Sequence, residues 1–230
     1  MSTSSNQNNT IQTLYKSRIL TSFSRQHALL ALMACLMAFM LTACQEKPRG
    51  PAPLPELSIG VAGFTQPTTV QELMAGYIPE GQTPIKAKDL EGLDVTFAKT
   101  LAEGTNRRYL YIPTDALSLK SYKGPAIEYW LELGQAAGVD LLIVPQAIAY
   151  TPRIGGDLGV TQAAAVMLDF FLIDVREEIL IHRYAFNEQQ VGLASNLLEI
   201  GTFFSRGGKW LTADELAQEG MVNVIKEFGL

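Results

Sequence analysis

The sequence predicts an α/β fold of the α+β kind, in which one mixed β-sheet of about five strands is flanked by helices. Residues 139–148 are nearly all apolar, which is typical of a central strand that is covered on both faces. Residues 163–174 and 179–186 are two further apolar runs, and the segment between them is short enough for a hairpin. Amphipathic helical patterns stand between the other strands, and this order predicts a single sheet with helices packed on it.

The domain is predicted to open with a strand, a short helix and a loop. Residues 57–64, LSIGVAGF, indicate a buried strand whose small residues allow close packing. Pro67 and the two threonines after it indicate the start of a short helix that runs to Met74. Prolines and glycines then make residues 76–88 a loop.

A longer helix and a second strand follow. Asp89 or Asp94 is expected to cap this helix, which ends near Gly104. The strand covers residues 108–112 and is stopped by a proline. The apolar face of the helix consists of Leu93, Phe97 and Leu101, with Ala98 and Ala102 beside them.

A third helix leads into the central strand. Pro125 suits its first turn, and Gly134 and Gly138 mark its end. After the central strand, residues 151–161 are expected to form a glycine-rich loop. The apolar side chains of the helix are Ile127, Trp130 and Leu131.

The first arm of the hairpin has two apolar faces. Asp169 interrupts one of them, and it is expected either near a sheet edge or paired with a buried cation. In the second arm, His182 is in phase with Leu180, Tyr184 and Phe186, and we expect it to be packed or paired across strands. The alternation places Val166, Phe170 and Leu172 on one face, and Met167, Phe171 and Ile173 on the other.

Two helices are predicted at the carboxyl end. The first spans residues 195–204 and is broken by glycines 207 and 208. The last begins at a capping box, in which Thr212 and Glu215 satisfy each other's backbone donors. We expect Trp210 to pack beside this cap. The apolar stripe of the last helix is Leu216, Met221, Val224, Ile225 and Phe228.

The charge of the chain argues against nucleic acid as a partner. The first 43 residues contain three basic residues and no acid, and without them 15 basic and 23 acidic residues remain. Such a surface repels phosphates unless a local basic patch exists, and the sequence has no such patch.

The first 43 residues have the pattern of a secretory signal. Three basic residues precede the apolar run 28–43, which is ALLALMACLMAFMLTA. As a helix this run spans about 24 Å, which is short of the ~30 Å hydrocarbon core that a transmembrane helix, the alternative interpretation, has to cross. The run ends in LTAC, which resembles the bacterial lipobox. The resemblance implies cleavage before Cys44, acylation of that residue by palmitate-like chains, and anchoring on a membrane.

The resemblance to a lipoprotein also divides the chain into three parts. They are the signal peptide 1–43, a lipidated tether 44–55 and a globular α/β domain 56–230. The tether contains four prolines and is expected to be extended. Residue 45 is Gln, not Asp, which by analogy with enteric lipoproteins implies an outer-membrane location facing the periplasm.

Four segments of the domain resemble a group of uncharacterised periplasmic lipoproteins. They are LSIGVAGF, DLLIVPQAI, FFLIDVREEILIHRYAF and RGGKWLTADELAQEG. The domain of these lipoproteins is similar to the amino-terminal domain of TolB, and related domains occur in the lipoprotein activator of penicillin-binding proteins and in the curli secretion lipoprotein. The resemblance implies a protein-binding or assembly module of the cell envelope, with no active site to carry over.

The residues indicate no catalytic or metal site and no cofactor. His182 is the only histidine after the leader, and the only cysteine is Cys44, whose sulfur the lipid occupies. Four acids of the hairpin are close in sequence, but strand alternation places them on different faces, which argues against a shared metal site. We expect them to form a solvated turn instead; they are Asp169, Asp174, Glu177 and Glu178.

The loop after the central strand is the candidate partner-binding site. It follows the carboxyl end of a strand, where α/β sheets tend to bind ligands. Tyr150, Arg153 and Asp157 provide an aromatic ring and two charges there.

Together these features predict a non-catalytic outer-membrane lipoprotein that binds an envelope protein. Two alternatives remain open: a periplasmic hydrolase that uses carboxylates, and a structural subunit of a homo-oligomer. A deep pocket with two convergent acids favours the hydrolase, and an exposed apolar patch favours a binding surface.

Overall fold

The computed structural model describes residues 57–114, 116–156, 159–190 and 209–230. No helix in these ranges is both long enough and apolar enough to cross a membrane. The described strands are β1 (Ile59–Ala62), β2 (Tyr109–Ile112), β3 (Leu141–Thr151), β4 (Ile154–Gly156), β5 (Gly159–Gln162), β6 (Ala165–Asp174) and β7 (Ile179–Gln189). The described helices are α1 (Ala87–Gly104), α2 (Ala116–Ser121), α3 (Ala126–Ala137) and α4 (Ala213–Phe228).

Five of the strands form one mixed sheet in the order β2-β1-β3-β6-β7. Strand β1 runs parallel to both β2 and β3, whereas β6 runs antiparallel to both β3 and β7. Strands β4 and β5 form a separate two-stranded hairpin. The predicted fold class is therefore confirmed: the protein has a mixed five-stranded sheet with helices around it.

The sheet separates two apolar cores. One lies under α1 and α4, where Phe97, Leu216 and Phe228 meet side chains of the three central strands. The other lies under α2 and α3 and is built around Trp130. Burial on both faces explains why β3 is nearly all apolar, as the sequence predicted.

The two faces predicted for the first hairpin arm are confirmed in β6. Val166, Phe170 and Leu172 belong to the core under α1 and α4. Phe171 and Ile173 belong to the core under α3. A register shift between Leu172 and Ile173 breaks the pairing with β7, so that Leu172 stands beside His182 while Ile173 stands beside Leu180. The predicted common phase of Leu180 and His182 is therefore wrong, because the bulge reverses the alternation between them.

The short helix predicted up to Met74 is also wrong. The chain turns once, and Leu73 N donates to Val70 O at 3.3 Å. The buried side chain of Gln146 then takes over the next backbone groups. It accepts from Met74 N at 3.3 Å and donates to Glu72 O at 2.8 Å. A tertiary contact thus replaces the hydrogen bonds that would continue a helix.

Neither predicted acid caps α1. The N-cap residue is Lys86, which makes no side-chain capping bond, and Asp89 lies in the first turn. Asp94 lies within the helix, and its carboxylate accepts from Phe64 N at 2.6 Å instead.

The glycines after Pro125 have different roles from one another. Gly138 ends α3 in the left-handed conformation, as predicted, with φ of 67°. Gly134 lies inside α3, and a Cβ there would come within 2.7 Å of Val175 Cγ2. Its prediction as a helix end is wrong; it allows the helix to approach the sheet closely.

The capping box of the last helix is confirmed. Thr212 Oγ1 accepts from Glu215 N at 3.1 Å, and Glu215 Oε2 accepts from Thr212 N at 2.8 Å. Trp210 is buried just before this cap. The predicted helix 195–204 and the glycines 207 and 208 lie outside the described residues.

Candidate functional site

The glycine-rich segment predicted as a loop is a small β-hairpin. Strand β3 continues to Thr151 after a register shift between Ala147 and Ala149, and β4 and β5 extend from its end. Thr161 Oγ1 donates to Ile154 O at 3.2 Å and holds the arms together. The Ile154 side chain is 56% exposed, so the hairpin presents an apolar residue to solvent. The prediction of an irregular loop failed because β-pairing does not require a strongly apolar pattern.

Tyr150 and Arg153 both contact the start of α4. Tyr150 Oη donates to Asp214 Oδ1 at 2.6 Å. Burial, followed by the neighbouring Asp214 carboxylate, raises the pKa of Tyr150, so its hydroxyl remains a donor at neutral pH. Arg153 Nη1 donates to Trp210 O. Asp157 lies outside the described residues, and a role of the three residues in partner binding stays a prediction.

A third contact with the entry to α4 involves Gln190, which directly follows β7. Its side-chain Nε2 donates to Leu211 O at 3.2 Å, and its Oε1 accepts from Leu211 N at 3.1 Å. Gln190 N also donates to Ala164 O at 3.1 Å. The end of β7 and the entry to α4 are therefore fixed against each other.

An ion pair with a buried carboxylate lies on the opposite face of the sheet, between β6 and the edge strand β7. Asp169 is 2% exposed, and Arg183 Nη2 donates to its Oδ1 at 3.0 Å from the neighbouring strand β7. The Arg183 guanidinium also lies 5.9 Å from the centre of the Phe171 ring. Of the two alternatives predicted for Asp169, pairing with a cation is confirmed, although the cation is an exposed arginine on the edge strand and not a buried one.

A backbone segment covers this ion pair. Gly76 has φ of 97°, and a Cβ on it would lie 2.8 Å from Arg183 Nη2 and 3.2 Å from Asp169 Oδ2. Gln146 stands opposite Asp169 in β3 and binds the same segment at Glu72 and Met74. Gln146 thus holds this segment on the sheet, with Gly76 close against the ion pair. Sequence reasoning identified Asp169 but not Gln146 or Gly76, since neither has a local signal.

Burial and pairing act on Asp169 in opposite directions. Burial raises the pKa of Asp169, and the charge and hydrogen bond of Arg183 lower it in part. The net direction is upward, so the ion pair does not fully compensate the cost of burying the carboxylate. Because the Asp169 carboxylate is buried and paired with Arg183, it is not open to a substrate.

A second acid closes the carboxyl end of β1. Asp94 accepts from Phe64 N, and Thr114 Oγ1 accepts from Gly63 N at 2.9 Å. Burial raises the pKa of Asp94, while the bond from Phe64 N opposes that shift. Backbone donors of the kind that bind anions in other α/β proteins are therefore satisfied here by the chain's own side chains.

His182 lies against the last helix. Its ring stacks on Phe228 with the centroids 6.1 Å apart and an angle of 25° between the planes. The prediction of a packed histidine is confirmed. In the described part of the chain, no three His, Cys, Asp or Glu side chains are grouped so that they could hold a metal ion.

A cleft of about 1100 Å³ opens at the other end of the sheet. It lies between the amino end of β1, the carboxyl end of α1 and Leu230. Among its described lining residues, Glu103 is the one acidic side chain. The pair of convergent acids that would favour a carboxylate hydrolase is not found in this cleft.

Solved structures include distant likenesses of this fold. A PelC dodecamer from Paraburkholderia phytofirmans is 13% identical, with 78% of this chain and 92% of that chain covered and a TM-score of 0.46. For the lipoprotein GNA1162 from Neisseria meningitidis the identity is 16%, the coverage 66% and 94%, and the TM-score 0.36. For the LpoB C-terminal domain from Salmonella enterica the identity is 10%, the coverage 58% and 83%, and the TM-score 0.34. No family model matches the sequence, and no curated protein matches it either. At these identities and scores the likenesses assign neither a function nor a partner to this chain.

Proposed function

We propose that the mature chain is a lipoprotein of the bacterial envelope, anchored by lipid on Cys44, whose α/β domain binds a protein partner and performs no catalysis. The observation that carries the proposal is the apolar run 28–43, which ends in LTAC and is followed at once by a proline-rich segment. The thiol of Cys44 is the one strong nucleophile at that junction, and several acyl chains at about 0.8 kcal/mol per buried CH₂ give stable anchoring.

The proposed maturation leaves three segments with distinct roles. The signal 1–43 is removed, residues 44–55 form the tether and residues 56–230 form the domain. An extended tether at about 3.1 Å per residue lifts the domain roughly 30 Å from the lipid. Gln45 after the acylated cysteine supports the outer membrane as the destination, with the domain facing the periplasm. We also propose that the domain is related to the amino-terminal domain of TolB, which its four sequence segments resemble.

The acids described above support a binding role over catalysis. The Asp169 carboxylate is buried and paired with Arg183, and the Asp94 carboxylate accepts from Phe64 N, so both acids already have partners within the domain. The exposed Ile154, which begins β4, and the neighbouring Tyr150 and Arg153 at the base of the hairpin are the surface that we propose for the partner. Its position at the carboxyl end of a central strand supports this assignment.

Fatty-acid labelling tests the anchor. In cells that express the full chain and receive radiolabelled palmitate, we expect label in the natural protein and none in Cys44→Ala. The matched control is Cys35→Ala, which removes the other cysteine of the chain and should keep the label. Equal labelling of Cys44→Ala and the natural protein would refute the anchor.

Site-specific crosslinking tests the binding surface. A photoreactive residue in place of Ile154 should capture one envelope protein in intact cells. The control position is Val95, which is also exposed but lies on α1. The same captured protein at both positions, or none at Ile154, would contradict the assignment of the hairpin.

A further inference from the structure

The two outer strands of the sheet begin at the same level and run in the same direction. Strand β7 is antiparallel to β6, which is antiparallel to β3, so β7 points the same way as β2. The pairing can be followed across the whole sheet, and we call a row of residues paired across all five strands a level. One level contains Tyr109, Ile59, Leu141, Asp174 and Ile179, and the next contains Leu110, Gly60, Leu142, Ile173 and Leu180.

Both outer strands expose apolar side chains at these levels. Leu110 of β2 is 50% exposed and Leu180 of β7 is 39% exposed. Tyr111 and Ile179 beside them are exposed as well. Free sheet edges in soluble proteins are commonly guarded by inward charges, prolines or bulges. The outward edge of β2 has no such guard within its four residues, and the bulge of β7 comes only after Leu180.

Charges of opposite sign precede the two outer strands. Exposed Arg108 comes directly before β2, whereas the exposed acids Glu177 and Glu178 come directly before β7. Glu178 accepts a hydrogen bond from Gln135, which is neutral. Within the described ranges, none of these three side chains makes an ion pair. The edges are therefore complementary in charge directly before the two levels at which they are both apolar.

We propose that these edges bind each other between copies of the chain, so that β2 of one copy pairs in parallel with β7 of the next. If the levels of the sheet continue across the contact, Leu110 lies beside Leu180 of the neighbouring copy and Arg108 lies beside its Glu178. The pairing satisfies backbone groups of both edges and extends the core under α3 across the contact.

The contact uses different surfaces of the two copies, so it is heterologous. Two paired copies still have an unused β2 edge at one end and an unused β7 edge at the other. Further copies can therefore add until a ring closes or a filament grows. Four paired residues form a small interface next to the roughly 800 Å² per partner of a stable complex. We therefore expect assembly that depends on concentration. The inference goes beyond the proposed function and does not depend on the lipid or on the hairpin.

Disulfide crosslinking of the full chain in its membrane tests the pairing. In the double variant Leu110→Cys/Leu180→Cys the two thiols of one copy lie four strand spacings apart, about 19 Å, which is too far for a disulfide. Between paired copies the same positions are neighbours at about 5 Å. Mild oxidation should therefore give a ladder of dimers, trimers and larger species on a non-reducing gel.

Three control variants separate this pairing from other contacts. The single variants Leu110→Cys and Leu180→Cys should give no species beyond a dimer. In Leu110→Cys/Val222→Cys the second thiol lies on exposed α4, and no ladder is expected. If the Leu110→Cys/Leu180→Cys protein melts like the natural one but gives no ladder, the proposal is overturned. It is also overturned if the Val222 control gives an equal ladder.

Charge reversal tests the register. In the double-cysteine background, Arg108→Glu and Glu178→Arg should each reduce the yield of the ladder several-fold, because each places like charges beside each other. The two reversals together should restore the yield. A combined variant that stays as weak as either single reversal would overturn the pairing of Arg108 with Glu178.

Discussion

Replacement of Arg183 by Met tests whether the buried ion pair holds the sheet together. Methionine keeps an unbranched apolar side chain at this position but removes the guanidinium that lies by Phe171, and so leaves Asp169 as a buried carboxylate without its cation. Breaking a fully buried pair typically costs about 3–5 kcal/mol. Arg183 is 36% exposed on its side chain, so water already screens part of this interaction, and we expect a loss of about 2–3 kcal/mol at pH 7.

The pH dependence of this loss distinguishes charge from packing. Burial already raises the pKa of Asp169 above its ordinary value, and removal of Arg183 takes away the influence that lowers it. The folded protein therefore binds a proton more readily than the unfolded chain, and stability increases as pH falls from the raised folded pKa towards the ordinary value of about 3.9. In Arg183→Met this window is wider, so the difference from the natural protein should shrink on acidification.

Urea denaturation followed by tryptophan fluorescence measures the effect, because Trp130 is fully buried in the core under α3. Asp169→Asn and the double variant complete a thermodynamic cycle, in which we expect a coupling energy of about 1–2 kcal/mol. A deficit of Arg183→Met that is the same at pH 7 and pH 5 would refute the argument from charge. Additive effects of the two substitutions would do so independently.

Two further predictions concern helices. Gly134→Ala should destabilise the protein by about 1–3 kcal/mol in thermal or urea unfolding, because the new Cβ meets Val175 Cγ2 at 2.7 Å. Gly92→Ala in α1 is the matched control, since nothing lies within 4 Å of its Cβ, and it should stabilise by up to about 1 kcal/mol; a loss at both positions would refute the packing argument. Thr212→Ala should cost about 1 kcal/mol by removing the cap of α4, whereas Thr212→Ser should retain most of it. Equal stabilities of Thr212→Ala and Thr212→Ser would contradict a role for the hydroxyl.

Features with a local cause were predictable from the sequence. The capping box of α4 involves residues three apart, and the alternation in β6 follows from the geometry of any strand. The burial of β3 on both faces was evident from its composition. The unusual position of Asp169 on an apolar face was likewise enough to predict either a place near a sheet edge or a cation partner, although not that the partner was Arg183.

Features with a distant cause were not predictable. The turn before Met74 does not become a helix because Gln146, far along the chain, binds its backbone. Asp94 is of a residue type that commonly caps helices, but its carboxylate accepts a hydrogen bond from Phe64 N instead. Leu180 and His182 lose their common phase through a bulge that the sequence does not mark. The candidate site has the same limitation, since the contacts of Tyr150 and Arg153 with α4 join segments about 60 residues apart.

The two hydrogen bonds between the Gln190 side chain and the Leu211 backbone have a practical consequence for protein engineering. They fix the distance between the end of β7 and the start of α4, whatever length of chain connects them. Because loop-closure entropy grows only slowly with length, a fluorescent domain inserted between Gln190 and Lys209 should add little to the cost of closing the chain at these two bonds. Such an internal fusion would report the position of the protein in living cells while leaving both natural termini unchanged.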